Sequence, residues 1–285
     1  MKRLSSLILV LFLAFGIAGC SQEYQSERYL YKATKLARHI IMAPDSVPPQ
    51  EFNKALNSYE LVFTKYPNSA SAKRARMGTG ALYSARKEYI KAREAFNKAL
   101  DLYPNDKAIC VEARIAIARS YESQDLWDKA LAEYKGIIRD YPHTETGLSL
   151  PMYIARRYEK EKDAVGTSNA YKEAIAHYKE ISEKNPNTVL DFMAQDFIVM
   201  CYTKQENWIE AVNSLEKIVM EYPAAKTILS AMQMISNISV KKLDNPKKAI
   251  DIFNKFLARY PKHPINDSLK KGLEGLNSVS AAKQQ

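Results

Sequence analysis

The sequence predicts an all-α protein, an α-solenoid of about six stacked helix pairs closed by a C-terminal capping helix. Three observations carry that expectation. Six alanines, Ala55, Ala92, Ala130, Ala174, Ala211 and Ala249, are each followed four residues later by a large side chain: Tyr59, Phe96, Tyr134, Tyr178, Leu215 and Phe253. Each alanine is followed twelve residues later by a proline: Pro67, Pro104, Pro142, Pro186, Pro223 and Pro261. The prolines recur at intervals of 37, 38, 44, 37 and 38 residues. An offset of four places the alanine and the large residue on one helical face. The alanine lets a neighbouring helix come close, and the large residue fills the gap beside it. The proline ends the helix, because it lacks a donor and drives the preceding residue out of the α region. Units repeated at such a period cannot bury their apolar face alone and must stack on their neighbours.

The chain begins with Lys2 and Arg3, continues through the apolar run Leu4–Gly16 and reaches small residues before Cys20. A short charged start, an apolar centre and a small-residue exit are the marks of a secretory signal. The run is too short and too promptly ended for a membrane span. Ile17-Ala18-Gly19-Cys20 resembles the lipobox of bacterial lipoproteins. That resemblance implies that residues 1–19 are a signal peptide and that Cys20 is acylated, becoming the mature N-terminus. It also implies outer-membrane sorting, because Ser21 stands where inner-membrane retention typically uses aspartate. Each buried CH₂ of an acyl chain contributes about 0.8 kcal/mol, so the several chains of a lipoprotein give stable anchoring. On this division, residues 20–25 are the acylated cysteine and tether, 26–279 the solenoid and 280–285 a frayed tail.

The first helix is expected over Tyr24–Met42, with Tyr29, Leu30, Ala33, Leu36, Ala37 and Ile40 on one side. Pro44, Pro48 and Pro49 then force a break, and Glu51–Tyr66 is the partner helix. Later pairs share a frame. Tyr83, Tyr121 and Tyr202 lie nine residues before their alanines, and Gly80, Ala118 and Val199 lie twelve before. The fourth repeat fits that frame through Ala155 and Tyr158 if seven residues are inserted. The turn-like stretch Lys162–Asn169 predicts that the insert is an enlarged loop between two helices. The sixth repeat, with Asn237 and Val240, fits poorly, as terminal repeats do. A capping helix is expected over roughly Asp267–Val279.

The order of small residue, tyrosine, alanine, aromatic and proline resembles the tetratricopeptide repeat. The resemblance covers residues 51–261, and about 24–279 with the flanking helices. It departs from the family in period, 37–38 residues against the usual 34, and the added residues follow the proline, as in Tyr66-Pro67-Asn68-Ser69. Joined to the lipobox, this version resembles the BamD-like lipoproteins. That implies a scaffold facing the periplasm that assists outer-membrane protein assembly, with barrel-assembly subunits or unfolded outer-membrane proteins as partners. Pilotins and cell-wall or Tol coordinators use the same scaffold, and a structural organiser without a peptide groove is a further alternative.

Composition narrows the chemistry. The chain has 42 Lys and Arg, 32 Asp and Glu, and a formal net charge of +10. Without Lys2 and Arg3 the balance is 40 basic against 32 acidic residues, a net of +8. The cations interleave with carboxylates, the pattern of a solvated helix face. Export makes nucleic acid an unsuitable partner and leaves weak attraction to anionic lipid or acidic proteins. Cys110 and Cys201 fall two repeats apart, beyond disulfide reach on stacked helices, and are read as small buried side chains. His39, His143, His177 and His263 show no zinc-ligand spacing, and no phosphate loop or nucleophile motif is present. The expectation is a non-enzyme with no catalytic residue, metal or cofactor.

By resemblance, the first helix of each tetratricopeptide pair lines the concave, partner-binding side. The matching positions bring Arg74 and Met77, Arg119 and Glu122, Met152 and Arg156, and Met193, Met200 and Lys204 to that groove. Methionine adapts to varied apolar segments. Arg119 and Arg156 can hold a carboxylate, such as a chain terminus. The alternative is that the methionines pack between repeats and the arginines pair with glutamates. The repeat frame itself is tested at Phe96: chemical denaturation of Phe96→Ala should show a loss of about 3–5 kcal/mol, as for a buried aromatic.

Overall fold

The computed structural model describes residues 2–224 and 226–282, with side chains from residue 22 onward. Acylation at Cys20 therefore concerns a side chain outside the described residues. Among the described residues there are thirteen α-helices, one 3₁₀ turn and no strand. The helices are α1 (Lys2–Met42), α2 (Pro49–Lys65), α3 (Ala70–Ala85), α4 (Tyr89–Leu102), α5 (Lys107–Glu122) and α6 (Trp127–Asp140), then α7 (Glu145–Lys160), α8 (Ala164–Lys184), α9 (Val189–Lys204), α10 (Trp208–Glu221), α11 (Ile228–Lys241), α12 (Pro246–Arg259) and α13 (Asn266–Ala282). The chain forms two compact units, Met1–Tyr141 with α1 to α6 and Pro142–Gln285 with α7 to α13. In each, sequential helices pack neighbour on neighbour.

The repeating motif explains the packing. All six alanines are at most 1 % exposed, and their large partners four residues on are at most 5 % exposed. Burying one such side chain contributes about 1.5–3 kcal/mol. The contact is close enough to require glycine: a Cβ on Gly78 would lie 2.5 Å from the Tyr59 ring, and one on Gly80 2.4 Å from Phe96. In the first unit, Leu30, Ala33, Ala37 and Ile40 of α1 pack with Phe52, Tyr59 and Val62 of α2 and Leu82 of α3. In the second, Val212, Leu215 and Val219 of α10 join Met232 and Ile235 of α11, Phe253 and Phe256 of α12, and Leu269 and Leu273 of α13. The capping helix thus closes the apolar face of α12, and it runs three residues beyond the expected end to Ala282.

Each second helix stops two residues before its proline, with one cap residue between them. Tyr66, Tyr103, Tyr141, Asn185, Tyr222 and Tyr260 are the C-caps, with φ between −122° and −133°. The longer post-proline segment is a cap as well as a turn. Ser69, Asp106, Thr144 and Thr188 accept hydrogen bonds from the amides of Ala72, Ile109, Gly147 and Asp191 at 3.0–3.2 Å. Each such cap is worth about 1 kcal/mol. His263, in the last post-proline turn, is half-buried, with Nε2 2.9 Å from the Pro223 carbonyl.

The insert of the fourth repeat is not a loop. The turn at Glu161–Asp163 matches the others, and α8 is 21 residues long where α4, α6, α10 and α12 have 14. Asp163 caps the extension by accepting from the Gly166 amide at 2.8 Å. Seven residues make about two helical turns, so the extension keeps the buried face in register. The extra turns supply Tyr171, which is 1 % exposed and donates to Glu159 at 3.3 Å. Tyr134 donates to Glu122 at 2.8 Å across the same separation of twelve residues in the preceding repeat. The freed Tyr178 donates to the Leu148 carbonyl at 2.6 Å. Turn-forming residue types misled the sequence reading, because Gly166 and Asn169 sit inside a helix whose packing overrides their propensity.

The residues assigned to the leader and tether are helical and continuous with the first repeat helix, since α1 runs unbroken from Lys2 to Met42. Ser26 is fully buried. Among the described residues no helix is long and apolar enough to cross a membrane. Cys110 and Cys201 are both free and buried.

The turns inside the pairs are αL-capped without glycine. Lys87, Asp125, Lys162, Glu206 and Asp244 have φ of 52–60°. The amides of Glu88, Leu126, Asp163 and Asn207 reach back five residues to the carbonyls of Tyr83, Tyr121, Tyr158 and Tyr202 at 2.9–3.1 Å. This is the Schellman arrangement, in which glycine usually occupies the left-handed position. Relief of about 1–2 kcal/mol of αL strain, less the entropy of glycine, predicts that Lys87→Gly raises stability by about 0.5–1 kcal/mol in denaturant unfolding.

Candidate functional site

In the first unit the expected binding residues divide between surface and core. Arg74 on α3 and Arg119 on α5 are exposed. Arg74 reaches Glu27 of α1 at 3.9 Å, with both side chains about 60 % exposed, a pairing that water screens to little net stability. Arg119 has no carboxylate partner among the described residues, so its guanidinium presents its donors to solvent. Glu122, one turn further along α5, is half-buried and accepts from the Tyr134 hydroxyl. Met77 does not line a groove. It is 6 % exposed and packs with Phe96, Ile109 and Ile117.

The second unit shows the same division. Met152 on α7 is 2 % exposed, and its sulfur lies 3.2 Å from the Cys201 thiol. Burial pushes that thiol up to about 12. The sequence frame assigned Met152 to the groove because it counted one face of α7, yet α7 is covered on more than one side. Buried residues run Leu148, Leu150, Pro151, Met152, Ile154 and Ala155. Arg156 remains exposed on the same helix and, like Arg119, has no ion-pair partner among the described residues. Met193 on α9 is 36 % exposed and Met200 half-buried. Lys204 lies 3.8 Å from Glu159, linking the exposed edges of α7 and α9. Tyr153, 41 % exposed on α7, also stands at this surface, where the repeat frame had assigned no role.

What holds α9 in place is a buried polar network that sequence reasoning did not find. Asp191 is 3 % exposed. It accepts from the Ser182 hydroxyl at 2.6 Å, from the Asn187 amide at 3.0 Å and from the Tyr222 hydroxyl. Gln195 donates to the Ser182 oxygen at 2.6 Å. Burial opposes the charge on Asp191, but the Ser182, Tyr222 and Asn187 donors outweigh it and hold the carboxyl below its ordinary value. Helices α8, α9 and α10 thereby share one carboxylate. Ser182 and Gln195 also floor a cleft of about 350 Å³ that reaches Tyr202, Glu210 and Lys217. The sequence signal was thin: Asp191 lies three residues after the Thr188 cap, where it reads as a first-turn helix acid.

Among the described residues no cluster of His, Cys, Asp or Glu could hold a metal ion. The exposed groups are cations, thioethers and a phenol on the first helices of pairs. They can hold carboxylates and apolar side chains, and they lack an activated nucleophile.

Two family models, both described as tetratricopeptide repeat, match the chain. One covers residues 74–106, and the other covers 112–144 and 230–263. The last match falls on the sixth repeat, which the sequence frame had fitted poorly. No match was found among curated proteins. Similar solved structures include a thermophilic tetratricopeptide-repeat protein of Thermus thermophilus, at 18 % identity and a TM-score of 0.36 over 72 % of this chain and 98 % of that one. Another is a tetratricopeptide-repeat protein of Parabacteroides merdae, at 12 % identity and a TM-score of 0.37 over 87 % and 99 %. A third is the complex of the yeast Sti1 TPR2AB domain with pHSP90, at 12 % identity and 0.36 over 90 % and 99 %.

The Asp191 network carries a pH signature. Its lowered carboxyl contributes stability that is fully present above the unfolded value of about 3.9 and is lost as pH falls through the folded value. Asp191→Asn should therefore cost about 1–3 kcal/mol at neutral pH. The deficit against wild type should shrink below about pH 4, measured by urea unfolding across that range.

Proposed function

We propose that this tetratricopeptide-repeat chain of all-α stacked helix pairs is a lipid-anchored interaction scaffold facing the periplasm, where it assists outer-membrane protein assembly. Tetratricopeptide repeats are protein–protein interaction scaffolds, so the binding class follows from the repeats. Anchoring, through Cys20 at the end of the Ile17-Ala18-Gly19-Cys20 motif, and the envelope role, through the resemblance to BamD-like lipoproteins, belong to the proposal.

One observation carries the binding reading. Arg119 and Arg156 are exposed on first helices with no carboxylate partner among the described residues, while Met77 and Met152 on first helices of the same units are spent on the core. Two uncommitted guanidiniums, one in each unit, suit separate carboxylates on a partner: acidic side chains or a chain terminus. Met193 on α9 and Tyr153 on α7 offer apolar contact on the first helices of the second unit, where Arg156 also stands.

Two measurements test the reading. Arg119→Glu and Arg156→Glu, made singly, should each lower crosslinked capture of barrel-assembly subunits or unfolded outer-membrane proteins by about tenfold or more, as for loss of a charge-assisted bidentate contact. Both variants should keep the wild-type melting temperature within a few degrees. Undiminished capture would replace the groove reading by that of a structural organiser. Release of the mature protein from membranes without detergent would remove the anchor.

A further inference from the structure

The first helix carries two faces, and only one of them has been used. Ser26, Leu30, Ala33, Ala37 and Ile40 are buried against the first unit. On the opposite side, at spacings of four and three, stand Tyr24, Arg28, Tyr31, Lys35, Arg38 and Met42, all exposed. Tyr24, Tyr31 and Met42 are 65 %, 70 % and 80 % exposed. No acidic residue occurs from Arg28 to Met42. Arg28, Lys32, Lys35 and Arg38 have no ion-pair partner among the described residues. Glu27, beside Arg28 in the sequence, turns to Arg74. Elsewhere in this unit exposed Lys91 meets Glu88 and half-buried Lys73 meets Asp106. The outer stripe of α1 is thus a row of cations without ion-pair partners interleaved with phenols, about 27 Å long from Tyr24 to Met42.

We infer that this stripe lies flat on a bilayer and binds anionic phospholipid headgroups. Three points select that occupant. Arginine and lysine bind phosphate oxygens, arginine as a planar fork. Tyrosine places an apolar ring and a polar hydroxyl together and favours the membrane–water boundary. The row is straight and one-sided, which matches a plane better than a folded partner. Its apolar face is occupied by the protein, so the helix rests on headgroups without inserting. The inference deepens the anchoring reading and rests on it for the helix to meet a bilayer in the cell, since Tyr24 is four residues beyond Cys20.

The test uses the full chain, purified in detergent and reconstituted into vesicles of phosphatidylcholine alone or mixed with phosphatidylglycerol. Amine-reactive labelling of Lys32 and Lys35, with exposed Lys54 and Lys98 of the same unit as references, is read by mass spectrometry. Labelling of Lys32 and Lys35 should fall about fivefold in the phosphatidylglycerol vesicles. It should recover in about 1 M NaCl, where charges are screened within about 3 Å. Lys54 and Lys98 should not change. Arg28→Gln/Lys35→Gln/Arg38→Gln should abolish the protection at Lys32, and these exposed positions leave the core intact. Equal labelling of Lys32 and Lys35 in both vesicles overturns the inference. So does equal protection by inorganic phosphate alone, which would mark a phosphate site. Loss of the anchor reads separately: the chain then fails to float with phosphatidylcholine vesicles, while the phosphatidylglycerol arm still reports on the stripe.

Discussion

The contact between a buried alanine and the large residue one turn beyond it organises this structure. At six places the alanine is stripped of solvent and the ring or leucine four residues on fills the space beside the next helix. Because the approach is so close, the facing residue must be small, and Gly78 and Gly80 show the limit, with no room for a single added carbon. Everything else is subordinate to keeping that contact. The proline-stopped helix ends, the hydroxyl and carboxylate caps and the left-handed turns all set where a helix starts and stops. None of them decides which face is buried.

The same contact explains why so little of the molecule is available for chemistry. Helices whose apolar faces are consumed by neighbours leave cations, a few thioethers and phenols outward. Of the outward residues of first helices, Arg119 and Arg156 have no ion-pair partner among the described residues, one in each unit. The buried Asp191 carboxylate is pinned by several donors. Asp191 ties three helices through neutral hydroxyl and amide groups, and this fixes the helix that presents Met193 and Lys204.

Periodicity made the fold legible: helix ends, the alanine faces, the capping helix and the separate burial of both cysteines could all be read from spacing. Site residues were legible only as far as a helix has one free side. Arg74, Arg119, Arg156 and Lys204 lie at the surface because charge will not be buried without partners. Methionine has no such veto, and Met77 and Met152 went to the core where α3 and α7 are covered on two sides. The Tyr222–Asp191 contact joins residues 31 apart on different helices, and no local pattern announces a pairing of that kind. The stripe on α1 follows the same spacings of four and three as the apolar face opposite it.

The lengthened α8 says something about how such arrays change size. A helix locked by its neighbours at a ring such as Tyr178 can grow only by amounts that return the ring to the same bearing. Seven residues rotate it by about 20° and are absorbed, whereas five would swing it by about 140° and point it at water. Variation in the helices of this architecture is therefore stepwise, and a gene acquiring extra codons here has few admissible increments.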